Sequence, residues 1–108
     1  MNTRDEVGDA GEQTQKSAKD NFKRFNYKVC GLKSASGMTI SGITRHAVER
    51  VITRGLSLEE LVDLVLHANI IYPDRNPGRV CQQKGDWKLV LDRSTRIIVT
   101  VIKLGNEE

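Results

Sequence analysis

The stretch SGITRHAVERVITRG, residues 41–55, has the apolar spacing of an amphipathic helix and is the starting point for predicting the fold. Its apolar residues recur every three or four positions, and they are Ile43, Ala47, Val48, Val51 and Ile52. Gly55 is the residue type that most often ends a helix. The pattern therefore predicts a helix over Thr44–Arg54 with one face against a core.

A second helix is predicted directly after the first. Ser57 and Glu60 have the spacing of a capping box, in which two side chains satisfy the N–H groups of a helix start. An apolar stripe follows, made of Leu58, Leu61, Val62, Val65 and Leu66, and we expect the helix to end near His67. Because only residues 54–57 separate the two helices, we expect a compact helical hairpin.

Beyond residue 78 the sequence takes the pattern of strands. Residues 72–78, YPDRNPG, have the composition of a loop. Strands are then predicted at Arg79–Lys84, Trp87–Asp92 and Ile97–Leu104, with short turns between them. Helices followed by such a meander predict an α+β fold, with N-terminal helices packed on a twisted antiparallel β-sheet.

The N-terminal part of the chain has a different composition. Residues 1–21 lack apolar periodicity and are rich in charge, Gly, Gln and Ser, which predicts a flexible leader or linker. Residues 22–29 are apolar enough to anchor a short helix or strand, so residues 22–108 are predicted to form a single domain. A chain of 108 residues has room for one modest core, which must be mostly aliphatic because only 5% of the residues are aromatic.

Charge is distributed in blocks along the chain. Residues 21–54 hold seven basic and one acidic residues, and residues 79–103 hold six basic and two acidic ones. If the fold brings these blocks together, they form a positive surface suited to a polyanion such as RNA. The alternative is an ordinary solvated lysine-rich surface.

The residue types that bind metals are few. Cys30 and Cys81 are the only cysteines, and they have neither metal-site spacing nor the number needed for a disulfide framework. His46 and His67 lack the paired carboxylates or thiolates of a zinc site, so we predict no metal and no cofactor. No secretory signal follows Met1 and no apolar run approaches membrane-spanning length, so we expect no membrane contact by this domain.

Three polar residues line one flank of the first predicted helix. His46, Arg50 and Arg54 lie one turn apart beside the apolar stripe. An imidazole can take a proton from a ribose 2′-hydroxyl or give one to the leaving 5′-oxygen. A guanidinium can stabilise the extra charge of the phosphorane. The alternative is a boundary histidine bonded to a loop carbonyl, beside arginines that pack their aliphatic stems.

Two strand residues are candidates for holding the phosphate. Lys88 and Thr100 are polar residues within otherwise apolar strands. If the hairpin pairs Asp92 with Arg96, these two candidates lie directly opposite each other on one face. A slip by one residue places Lys88 opposite Val101 instead.

Further residues are predicted to contact the substrate, namely Arg45, Arg54, Arg79 and Trp87. The ring of Trp87 can stack on a base of single-stranded RNA. Alternatively, a lone tryptophan at the start of a strand forms the edge of the core.

The segments HAVERVITRGLSLEE, residues 46–60, and LVLDRSTRIIVTV, residues 89–101, together resemble a known family. They are similar to the C-terminal toxin domains of bacterial polymorphic toxins, and more narrowly to toxins of contact-dependent growth inhibition with a barnase/EndoU/colicin/RelE type of fold. The resemblance covers roughly residues 40–104. It implies metal-independent ribonuclease activity, most often on transfer RNA, which leaves a 2′,3′-cyclic phosphate.

The resemblance also implies site residues and partners. The family places a helix histidine, a basic residue and a strand Ser or Thr in its cleft. The resemblance matches the histidine to His46 and the strand residue to Thr100. The basic residue corresponds to one of Arg50, Arg54 and Lys88. A cognate immunity protein is expected to neutralise the domain, and elongation factor Tu is a host factor that the resemblance suggests. The domain is then exported within a larger cell-surface effector and delivered to the target-cell cytoplasm. The lack of a second histidine in the cleft argues against a two-histidine mechanism.

Two other functions remain open at this point. One is a ribosome-dependent messenger-RNA nuclease of a toxin–antitoxin pair, against which the long polar leader and the lack of an arginine- and aromatic-rich tail both argue. The other is a basic module that binds nucleic acid or protein without turnover, which predicts salt-sensitive binding and no product.

Overall fold

The computed structural model describes the backbone of residues 10–105 and the side chains of residues 20–105. The helices and strands of this part of the chain are α1 (Ala10–Val29), β1 (Gly42–Ile43), α2 (Arg45–Arg54), α3 (Leu58–His67), β2 (Ile70–Pro73), β3 (Arg79–Lys84), β4 (Trp87–Asp92) and β5 (Ile97–Lys103). The strands form one sheet in the order β1-β5-β4-β3-β2. The predicted α+β class is confirmed. The sheet is mixed, because β1 runs parallel to β5 while the other neighbours are antiparallel.

The boundaries of α2 and α3 follow from local hydrogen bonds. Thr44 caps α2 by accepting a hydrogen bond from the Ala47 N–H at 3.0 Å, and Gly55 ends the helix with a φ of 82°. Ser57 and Glu60 form the predicted capping box with bonds of 3.0 and 2.9 Å. Such bonds satisfy backbone groups that a helix end would otherwise leave unpaired, which is why the sequence signals were reliable here.

The two helices pack on the sheet and not chiefly on each other, so the predicted compact hairpin needs correction. α2 lies along β5, α3 lies across β3 and β4, and α1 contacts both helices. The core fills the space between these helices and one face of the sheet. It is mostly aliphatic, with Leu61, Leu89 and Ile98 completely buried.

The N-terminal helix begins earlier than the sequence suggested. Residues 10–21 form the first turns of α1, although they were predicted to belong to a flexible leader. The remainder of that predicted leader, residues 1–9, lies outside the described residues, as do residues 106–108. Phe25 and Val29 are buried in the core, and the Asn26 side chain accepts a hydrogen bond from the Ile43 N–H at 3.0 Å. These contacts attach α1 to the start of the sheet.

One segment predicted as loop is a strand. Tyr72 and Pro73 are the last residues of β2, where they pair with Cys81 and Val80 of β3. Because β2 is at the edge of the sheet, the missing N–H of Pro73 can be tolerated there. The limits of β3 and β4 agree with the prediction, and β5 ends one residue earlier, at Lys103.

The β4–β5 hairpin contains a β-bulge that neither predicted register includes. Leu91 pairs with Ile98 near the turn, but the next pair is Val90 with Thr100. Val99 is therefore an extra residue on β5, and the register shifts by one position beyond it.

The bulge changes how the two predicted phosphate-binding residues are related. Lys88 lies opposite Ile102 and not opposite Thr100 or Val101. Lys88 and Thr100 still face the same side of the sheet, away from the helices, and they are diagonal neighbours. Such a pair is about 7–8 Å apart, within reach of a long side chain.

Candidate active site

A cleft between α2 and β5 brings together three of the residues selected from the sequence. Arg50, Arg54 and Thr100 line this cleft of about 260 Å³, and Val101 and Ile102 complete it. The cleft exists because β1 is short and pairs only with the first residues of β5, so α2 lies beside the rest of that strand. Two arginines and a threonine that line one cleft are residue types that suit a phosphate group.

The predicted proton-transfer residue lies on α2, one helical turn from a residue that lines this cleft. His46 has an exposed side chain and is one helical turn before Arg50, which places the two Cβ atoms about 5–6 Å apart. His46 itself is not among the residues that line the cleft. Within residues 20–105, the structure shows no hydrogen bond from this imidazole to a loop carbonyl, the alternative considered from the sequence.

Lys88 points away from the cleft. Its Nζ lies 5.8 Å from the centre of the Tyr72 ring, across β3 and towards the edge strand β2. Lys88 therefore belongs to a second group of polar residues on the face of the sheet that the helices leave open. This separates it from Arg50 on α2, although Thr100 faces the same side of the sheet as Lys88.

The open-face group contains residues that sequence reasoning did not select. The Cys81 thiol donates to the Asp74 carboxylate at 3.3 Å, beneath Lys88 and Tyr72. Burial, followed by the nearby Asp74 carboxylate, raises the pKa of Cys81, so the thiol stays protonated at neutral pH and is a poor nucleophile. Cys81 and Lys88 lie on paired strands, at positions whose side chains face the same side of the sheet. The two-residue repeat of a strand was the one sequence signal that could have linked them.

Other predicted substrate contacts are engaged elsewhere. The Arg45 guanidinium lies 4.9 Å from the centre of the Phe22 ring, so it packs against α1. Arg79 forms an ion pair with Asp92 on the neighbouring strand, with Nε and Oδ2 3.7 Å apart.

Trp87 lies on the helix side of the sheet, where it packs against the core. Lys103 lies over the Trp87 ring, with its Nζ 5.4 Å from the ring centre. The ring also borders a separate cleft of about 230 Å³, whose charged lining is three carboxylates and one ammonium group, those of Glu60, Asp63, Asp86 and Lys84. These carboxylates disfavour a phosphate there, so the α2–β5 cleft is the better candidate for a polyanion.

The second histidine has a structural partner. His67 Nδ1 lies 2.9 Å from an oxygen of Asp63, and the other carboxylate oxygen bonds Lys84. The hydrogen bonds from Lys84 and His67 lower the pKa of Asp63. This places His67 in a surface network at the end of α3, apart from the α2–β5 cleft.

Among residues 20–105, no three His, Cys, Asp or Glu side chains lie close enough to hold a metal ion together. No helix in the described part of the chain combines the length and apolar character needed to cross a membrane. Comparison of the chain with family models, with curated proteins and with solved structures gave no match.

Proposed function

We propose that this chain is the ribonuclease domain of an antibacterial toxin, and that it cleaves transfer RNA by 2′-hydroxyl attack without a metal ion. The observation that carries the proposal is the α2–β5 cleft, which Arg50, Arg54 and Thr100 line together. Cations arranged around a hydroxyl can stabilise a phosphorane, whose negative charge exceeds that of the phosphodiester.

Each residue receives a role from its position. His46, one helical turn from Arg50, acts as the general base or acid for the ribose hydroxyl or the leaving oxygen. Arg50 stabilises the phosphorane, and Thr100 donates a hydrogen bond to a phosphate oxygen. Lys88 contacts the phosphate of an adjacent nucleotide, because its ammonium group lies across the sheet near Tyr72. Arg54 adds positive charge at the far end of the cleft.

The partners and the cellular setting rest on the sequence resemblance. A cognate immunity protein would neutralise the toxin by covering the cleft, and elongation factor Tu would present the transfer RNA. The domain would be exported within a larger cell-surface effector and delivered to the target-cell cytoplasm.

The test compares the two histidines of the chain. His46→Ala should abolish cleavage of purified transfer RNA while leaving RNA binding and the melting temperature close to wild type. His67→Ala is the matched control, because its imidazole is engaged with Asp63 outside the cleft. Cleavage is followed on a denaturing gel with EDTA present. Persistent cleavage by His46→Ala would remove the assigned mechanism.

One observation favours a second candidate, a basic module that binds RNA without turnover. The cleft lining includes the cations and the hydroxyl but not the imidazole of His46. This candidate predicts salt-sensitive binding of transfer RNA with no product at any protein concentration. A ribosome-dependent messenger-RNA nuclease would cut only when ribosomes and messenger RNA are present. Adding these two components to the same assay therefore separates it from the transfer-RNA nuclease and from the binding module.

A further inference from the structure

Two consecutive carbonyl oxygens of β5 bond the same residue. The Ile98 carbonyl accepts a hydrogen bond from the Thr44 N–H at 3.0 Å, and the Val99 carbonyl accepts one from the Thr44 hydroxyl at 2.8 Å. In a regular strand, consecutive carbonyls point to opposite neighbours. The β-bulge at Val99 turns the second carbonyl towards α2, and Thr44 supplies the donor that this carbonyl needs.

The bulge also decides which side of the sheet Thr100 faces. Ile98 and Val101 are both buried, with 0% and 1% of their surfaces exposed, although residues three apart in a regular strand face opposite sides. The extra residue at Val99 allows both to face the helices and leaves Thr100 on the other side. Without the bulge, Thr100 would turn into the core and Val101 would turn away from it.

The same threonine begins the helix that carries the cations of the cleft. The Thr44 Oγ1 accepts from the Ala47 N–H at 3.0 Å while its proton is donated to Val99. One hydroxyl group thus uses both its acceptor and its donor capacity, and joins the start of α2 to the bulge of β5.

We propose that Thr44 is a positioning residue, an inference that rests on the proposed ribonuclease function. Its hydroxyl holds the start of α2 against the bulge, and thereby sets the distance between Arg50 and Thr100 so that both meet one phosphodiester of RNA. Thr44 is not among the residues that line the cleft, so it acts through these two residues and not on the substrate.

Three variants separate this role from ordinary helix capping. Thr44→Ser keeps the hydroxyl and both of its bonds. Thr44→Gly keeps a residue that is nearly as good a helix cap as threonine but removes the donor to Val99. Ser57→Gly is the matched control, because it makes the same change at the cap of α3, where no bulge is attached.

The readout is kcat and KM on a short oligoribonucleotide, at a temperature where circular dichroism shows each variant folded. Thr44→Gly should lower kcat by about tenfold to a hundredfold, the cost of a small misplacement of catalytic groups. KM should change little, because phosphates outside the cleft supply most of the binding. Thr44→Ser and Ser57→Gly should keep the wild-type kcat.

Each other outcome has a definite meaning. A kcat for Thr44→Gly equal to that of Ser57→Gly, or a change confined to KM, overturns the positioning role while the ribonuclease function stands. A wild-type domain that cleaves no RNA overturns the proposed function, and this inference with it. If Thr44→Gly does not fold, Thr44→Asp replaces it, since aspartate caps the helix well but its carboxylate has no proton for Val99. The same loss of kcat is then expected.

Discussion

Arg50 of α2 and Thr100 of β5 line one cleft, although they come from a helix and a strand far apart in the chain. They meet because β1 is short, so that α2 takes the place of a further strand beside β5. A permanent cation and a threonine that line one cleft are within reach of the same phosphate.

This arrangement predicts how binding depends on salt. Arg50→Ala should weaken binding of a 2′-O-methyl oligoribonucleotide, which cannot be cleaved by 2′-hydroxyl attack. The slope of log K against log salt concentration is negative, and it should become shallower by about 0.7, the value for one lost phosphate contact to a single strand. Arg45→Ala should leave the slope unchanged, because that guanidinium packs on Phe22. Equal slopes for wild type and Arg50→Ala in a fluorescence-anisotropy titration would contradict the phosphate contact.

A second prediction concerns a completely buried glutamine. Gln82 donates to the Leu64 and Val65 carbonyls, both at 3.1 Å, and accepts from the Ser36 N–H and hydroxyl at 3.1 and 2.7 Å. Gln82→Leu removes all four of these bonds, although the Val65 carbonyl keeps the Ala35 N–H and the Ser36 hydroxyl keeps Ser34, and it should lower the free energy of unfolding by about 2 kcal/mol. Gln83→Leu, on the other face of β3, should change it by less than about 0.5 kcal/mol. Urea denaturation that finds the two variants equally stable would refute this assignment.

A third prediction concerns acid stability. The Thr95 N–H and the Ser94 hydroxyl and N–H donate to Asp92 and lower the pKa of its carboxyl group. A lowered pKa in the folded state contributes stability that is complete above the unfolded value near 3.9 and is lost as the pH falls through the folded value. Asp92→Asn should therefore be less stable than wild type at neutral pH, and the difference should shrink as the pH falls below about 4.

This test uses urea denaturation of both proteins over a pH series. The wild type should remain acid-sensitive in part through Asp63 and Asp74, whose pKa values are also lowered. A difference between wild type and Asp92→Asn that stays constant with pH would show that ionisation of Asp92 does not contribute.

The β4–β5 turn offers a fourth prediction. Arg96 has a φ of 60° and is the one non-glycine residue with positive φ within the described chain. A side chain in this left-handed region costs about 1–2 kcal/mol. Glycine avoids this cost, but it also increases the conformational entropy of the unfolded chain, which offsets part of the gain. Arg96→Gly should therefore raise the free energy of unfolding by about 0.5 kcal/mol. Arg93→Gly removes the same charge from the same turn and should destabilise the protein, as thermal melts can show.

Much of the site was predictable as a set of residues but not as an arrangement. Helical spacing placed His46 and Arg50 one turn apart, and the structure agrees because that spacing is a property of any α-helix. Whether Lys88 would join them depended on the hairpin register. The bulge at Val99 decided it, and Lys88 now lies near Tyr72 and away from the cleft.

The sequence by itself determined the elements whose ends depend on neighbouring residues. The cap at Thr44, the glycine stop at Gly55 and the Ser57–Glu60 box each involve groups within one helical turn, so residue type and spacing suffice to specify them. The short turns that flank β3 and β4 marked the limits of these strands in the same way.

Only the tertiary structure decided features that depend on distant partners. Tyr72 and Pro73 are extended because β3 pairs with them, and the carbonyls of the bulge at Val99 are satisfied because Thr44 lies beside them. Buried backbone groups need partners wherever the chain can provide them, and no local pattern shows which remote residue will be near. For that reason the cleft between α2 and β5 became visible only once the chain was folded.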